Sequence, residues 1–122
     1  ASGPFQPAVA LALGLGDDTY HEVATSLQGK RDLLCDGLSA AGLQVARPAG
    51  TYFVIADAAP LGAHDALDFC RQMPDLCGVV GVPVSVFCDD KDAARTLVRF
   101  AFCKRDEVLN EAVARLGALA AR

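Results

Sequence analysis

Leu97-Val98-Arg99-Phe100-Ala101-Phe102-Cys103-Lys104 sets an arginine in the middle of an apolar, β-prone run. Side chains alternate faces along a strand, so Val98, Phe100 and Phe102 form one apolar face. Leu97, Arg99, Ala101 and Cys103 form the other, where small residues leave room around the arginine. A guanidinium keeps its proton, and burying it without a partner costs several kcal/mol. Arg99 therefore needs an anion. Either the protein supplies a carboxylate, or the site takes an anionic ligand. The strand alone leaves both open and favours the internal pair.

A chain of 122 residues forms one compact domain, and with 52% apolar residues it has a core to bury. The net charge of −4, with no run of Lys and Arg, argues against nucleic acid and anionic membranes as partners. Every apolar run is broken by charge, Gly or Pro before it reaches transmembrane length. The start, Ala1-Ser2-Gly3-Pro4, has neither an initiator Met nor a signal-peptide pattern and reads as the middle of something longer. The five cysteines, Cys35, Cys70, Cys77, Cys88 and Cys103, form no CxxC pair, and His21 and His64 have no matching ligand spacing. That pattern reads as free thiols in a reducing cytoplasm, with no metal site.

Gln6 to Leu15 is Ala- and Leu-rich and predicts a helix stopped by Gly14 and Gly16. Asp17 and Asp18 offer the N-cap of a long second helix to about Ala41, with Gly42 placed beyond its end. Val23, Leu27, Leu34, Leu38 and Ala41 give that helix a buried stripe, and Lys30, Arg31 and Asp32 a solvated face. Leu43 to Ala46 and Thr51 to Asp57 read as a strand hairpin turning at Ala49-Gly50. A helix from about Ala63 to Met73, ended by Pro74, buries Ala66, Phe69, Cys70 and Met73. Val79 to Val82 is a further strand, followed by Pro83 to Phe87. Cys88 to Asp92 is a polar loop or short helical turn, and the Arg99 strand comes next. A last helix starts near Asp106 as N-cap and buries Leu109, Ala112, Val113, Leu116 and Leu119. This order implies an α+β fold: helices on one face of a small, largely antiparallel sheet, preceded by two connecting helices. The long second helix has more surface than so small a sheet covers.

Five segments in order carry a resemblance. They are Pro4-Phe5-Gln6-Pro7-Ala8-Val9-Ala10; Lys30-Arg31-Asp32-Leu33-Leu34; Pro48-Ala49-Gly50-Thr51-Tyr52-Phe53 with Asp57; Gly78-Val79 through Pro83-Val84-Ser85-Val86-Phe87; and Val98 through Lys104. With them the chain resembles the C-terminal portion of class I, fold type I pyridoxal-phosphate aminotransferases. It is most similar to the kynurenine, glutamine and methionine aminotransferases and the actinobacterial N-succinyldiaminopimelate aminotransferases. The resemblance implies that Arg99 grips the substrate α-carboxylate as a bidentate pair, a role the planar fork suits. It sets Phe53, and less directly Tyr52 and Phe87, on the substrate side of a cleft; core packing is the competing reading for Tyr52 and Phe87.

The family's cofactor lysine, in a Ser-x-x-Lys segment, falls upstream of the part matched by Pro4 to Ala10. Lys30, Lys91 and Lys104 do not match it, and there is no Gly-rich phosphate loop. The resemblance thus implies residues 1–41 as helices joining a large cofactor-binding domain, and residues 42–122 as a C-terminal small domain. It implies pyridoxal 5'-phosphate as cofactor of the intact enzyme and an amino acid and a 2-oxo acid as substrates. It also implies a cytoplasmic homodimer, and an isolated chain that is inactive and prone to self-associate. A carbon–sulfur β-lyase of the same fold, or a non-enzymatic amino-acid-binding regulatory domain, are the alternatives.

Overall fold

A computed structural model describes residues 3–120. After a 3-10 turn at Gly3–Phe5, the chain runs through α1 (Gln6–Leu13), α2 (Asp17–Ala40), β1 (Gln44–Ala46) and β2 (Phe53–Asp57). It continues through α3 (Ala66–Cys77), β3 (Val82–Pro83), β4 (Leu97–Ala101) and α4 (Asp106–Ala120). The four strands pair in the order β1-β2-β4-β3, every neighbour antiparallel. This is the expected α+β architecture.

One face of the sheet carries the core. Val54, Ala56, Val98 and Phe100 point into it, with Phe102 just beyond β4. Leu34, Cys35, Leu38 and Ala41 meet them at the end of α2, with Met73 from α3 and Leu109, Leu116 and Leu119 from α4. Each large side chain removed fully from water here contributes on the order of 1.5–3 kcal/mol. The opposite face, with Phe53, Ile55, Leu97, Arg99 and Ala101, stays partly exposed, with the 3-10 turn Val84–Phe87 reaching it beside Arg99. The alternation along β4, half-buried and buried in turn, is the one its sequence predicts.

Several boundaries differ from the sequence reading, each for a local reason. The helix expected to stop before Pro74 continues through it to Cys77. Pro74 forfeits the bond its N–H would make to the Cys70 carbonyl, yet the helix runs on for three residues until Gly78, at φ 69°, ends it by donating to the Pro74 carbonyl. That helix starts at Ala66 rather than Ala63, because the Asp65 carboxylate accepts from the N–H groups of Leu67 and Asp68. Asp17, Asp18 and Asp106 are not caps but lie inside the first turns of α2 and α4, where their charge complements the helix dipole. Val79 and Val80 do not pair; the third strand is confined to Val82–Pro83, and Val80 is exposed. Thr51 and Tyr52 precede β2 instead of joining it, since Thr51 adopts φ 64°. Val23 is exposed, and α2 is buried only from its middle onward, because its first half extends past the sheet. Phe5, Leu11, Leu13 and Leu15 are exposed as well, leaving α1 an apolar, uncovered helix.

Candidate functional site

Arg99 sits at the centre of the partly exposed sheet face. Ile55 of β2 lies opposite it on one side and Val82 of β3 on the other. Its Cζ lies 4.1 Å from the centroid of the Phe53 ring and 4.5 Å from that of Phe87. Both are within the range of cation–π attraction, about 6 Å. Among the described residues no carboxylate reaches ion-pair distance of Arg99. Nor does any protein acceptor among them take a hydrogen bond from its guanidinium. The internal ion pair that the strand alone favours is thus not formed. Arg99 is thus a half-buried cation with two aromatic neighbours and, among the described residues, no protein acceptor on its five N–H donors.

The structure brings Arg99, Phe53 and Phe87 together. Tyr52 stands one step away, its ring centroid 4.3 Å from that of Phe53. Neither Tyr52, 47% exposed, nor Phe87, 61% exposed, is a core residue, so the core-packing reading of both fails.

A latch holds the loop that delivers Tyr52 and Phe53. Arg31, expected on a solvated face, is instead half-buried, with its side chain 18% exposed. It donates to the Pro48 carbonyl at 3.1 Å and to the Asp32 carboxylate at 2.8 Å. Arg47 donates to the carboxylates of both Asp32 and Asp36, which ties the end of β1 to α2. The Arg31 hydrogen bond, helped by Arg47, holds the Asp32 carboxyl below its ordinary pKa. At the far end of the loop the Phe102 N–H donates to the Tyr52 carbonyl at 2.9 Å. Between these anchors Thr51 is held at positive φ, costly for a β-branched residue. The sequence signal for the latch is the Lys30-Arg31-Asp32 run, whose meaning depends on a loop 17 residues away.

The other groups stand apart from this face. Lys30 is half-buried and pairs with Asp106 at 3.6 Å, while Lys91 and Lys104 are exposed. Burial pushes the Cys70 thiol up to about 11, which makes it inert at neutral pH. A groove of about 380 Å³ between α3 and α4, lined by His64, Asp65, Asp68 and Leu119 among others, shares no residue with the Arg99 face.

The sequence matches the family described as aminotransferase class I and II over residues 1–116, and the chain belongs to that family. It is 46% identical over 127 residues to a probable N-succinyldiaminopimelate aminotransferase, DapC, of Mycobacterium tuberculosis, covering 98% of this chain and 32% of that protein. It is 32% identical over 113 residues to the methionine aminotransferase of Escherichia coli, covering 93% of this chain and 29% of the other. The solved N-succinyldiaminopimelate aminotransferase of Mycobacterium tuberculosis superposes with a TM-score of 0.88 at 47% identity, over 98% of this chain and 31% of that one. The chain thus spans about a third of the length of the curated relatives it matches. No described helix is long and apolar enough to cross a membrane. A pyridoxal phosphate site needs a lysine to hold the cofactor and donors to cradle its phosphate. Of the three lysines, Lys30 is taken up by Asp106 and Lys91 and Lys104 are exposed to solvent, which is not the enclosed lysine such a site needs.

Proposed function

We propose that this chain is the C-terminal third of a pyridoxal-phosphate-dependent aminotransferase, in which Arg99 anchors the substrate α-carboxylate. The observation that carries the reading is an arginine without a carboxylate partner, on an open sheet face, in a chain of this family. Residues 1–41 connect to a larger part of the protein, with the last turns of α2 doubling as a layer of the small domain that follows from residue 42. That larger part supplies the lysine and the phosphate-binding groups. The cofactor, when bound there, acts as the electron sink for moving an amino group between an amino acid and a 2-oxo acid. This chain's share is orientation. Arg99 fixes one end of the substrate, Phe53 and Tyr52 wall the same face, and the held geometry converts binding into rate. The similarity to a protein named for N-succinyldiaminopimelate makes that compound the first substrate to try. A cytoplasmic homodimer is the expected form.

The test is an assay of the longer protein that carries this chain. A panel of amino acids is offered with 2-oxoglutarate or pyruvate, and both the new 2-oxo acid and the new amino acid are measured. Acceptor-dependent formation of both supports the reading. Pyruvate and a free thiol from a cysteine conjugate, independent of acceptor, would replace it with a β-lyase. Carboxylate-dependent amino-acid binding by the chain alone, with no turnover by any longer form, would replace it with a regulatory domain.

A further inference from the structure

We propose that Phe53 and Phe87 are positioning residues that fix the plane of the Arg99 guanidinium, so that its N–H edge rather than its face meets the carboxylate. The inference rests on the reading of Arg99 as the carboxylate anchor. The strand order sets it up. β2 and β3 flank β4 on opposite sides, with Ile55 and Val82 both level with Arg99. Phe53 lies two residues from Ile55 along β2 and therefore on the same face. Phe87 closes the 3-10 turn Val84–Phe87 that follows β3. The two rings thus reach the guanidinium from opposite flanks, at 4.1 and 4.5 Å.

A protein carboxylate in their place would hold Arg99 equally still, but it would occupy the N–H donors. An aromatic face attracts the cation through its quadrupole and takes none of them. All five donors are left without a protein acceptor among the described residues, free for a bidentate carboxylate. Phe87 is 61% exposed, so its ring is not held in place for the core. A guanidinium held this way loses less freedom on binding than one swinging in solvent, and the difference appears as affinity.

The experiment uses the longer protein with the fastest substrate pair of the panel, a second amino acid of different side chain, and an unreactive acid with hydrogen in place of the amino group. Phe87→Leu keeps an apolar side chain and removes the ring. The clamp predicts that KM for both amino acids and the 2-oxo acid, and Kd for the unreactive acid, rise by one common factor of roughly two- to thirtyfold, the span of the cation–π energy. It also predicts kcat within about twofold of wild type, a melting temperature nearly unmoved, and recovery in Phe87→Tyr, which restores the ring. Phe53→Leu should repeat the pattern; if it unfolds the protein, the exposed Phe87 carries the test. Unchanged Kd in Phe87→Leu, a factor that follows the amino-acid side chain, or no recovery in Phe87→Tyr overturns the clamp. Arg99→Lys separates the two levels. If it weakens the unreactive acid while Phe87→Leu does not, the anchor stands and the clamp falls. If it leaves that Kd unchanged, the anchor falls and the clamp with it.

Discussion

Replacing Arg99 by lysine in the longer protein keeps one positive charge and removes the fork. Two parallel charge-assisted hydrogen bonds become at most one, and each contributes roughly 1.5–3 kcal/mol where water is partly excluded. The close approach of the guanidinium to the Phe53 and Phe87 rings is lost too, although an ammonium retains part of the attraction. A net loss on the order of 2–4 kcal/mol follows, which is about 30- to 1000-fold in kcat/KM. The loss should be nearly equal for amino acid and 2-oxo acid, because both present the same α-carboxylate. Stability should hold, since no ion pair to Arg99 is present among the described residues to be broken. Steady-state kinetics of both half-reactions and a melting curve on one preparation decide it. Unchanged kinetics with a large fall in melting temperature would refute the anchor and return Arg99 to a structural role.

Thr51→Gly should be neutral to slightly stabilising in melting experiments: relief of positive-φ strain, about 1–3 kcal/mol, outweighs the entropy of a new glycine, about 0.5–1 kcal/mol. A marked fall would show that the Thr51 side chain makes a contact the loop needs. Gly81→Ala should destabilise by about 1–3 kcal/mol, because its new Cβ would lie 2.4 Å from Cγ1 of Val98, a stiff side chain on a buried strand. It should also raise KM, since β3 leads directly into Phe87; an unchanged KM would separate the two. Asp32 gives a pH dependence. Its carboxyl is held below the ordinary 3.8, so its contribution is complete above that value and is lost as pH falls through the lowered folded value. Asp32→Asn should therefore melt below wild type at pH 5 and converge with it at strongly acid pH; a constant gap across that range would contradict the latch.

The sequence is most legible where one residue pattern decides one structural feature. The alternation of Leu97 to Phe102 predicts both the buried face and the half-buried arginine on the other, because a two-residue period admits only one assignment of sides. The stripes of α4 and of the second half of α2 are legible for the same reason. Pro74 misleads because a proline inside a helix removes one hydrogen bond without having to end it; the stop is set by Gly78 four residues on. Val79 and Val80 look like a strand by composition, but β-propensity expresses a half-buried surface, and these two residues have no strand beside them. Arg31 and Asp32 appear solvated because their partners, Pro48 and Arg47, are remote in sequence. Phe87 could be placed on the substrate side only through the family resemblance. Its stacking on Arg99 depends on the strand order β2-β4-β3, which the local pattern does not encode.

The most direct test of the anchor alters the substrate and the protein together. In the longer protein, wild type and Arg99→Lys are each given the preferred amino acid and its primary amide, which keeps the amino group and side chain but removes the carboxylate charge. If Arg99 grips the carboxylate, the amide should cost wild type about 30-fold or more in kcat/KM and cost Arg99→Lys far less, a coupling of at least about 2 kcal/mol. Equal penalties in the two proteins, with no coupling, would contradict the assignment of Arg99 to the substrate carboxylate.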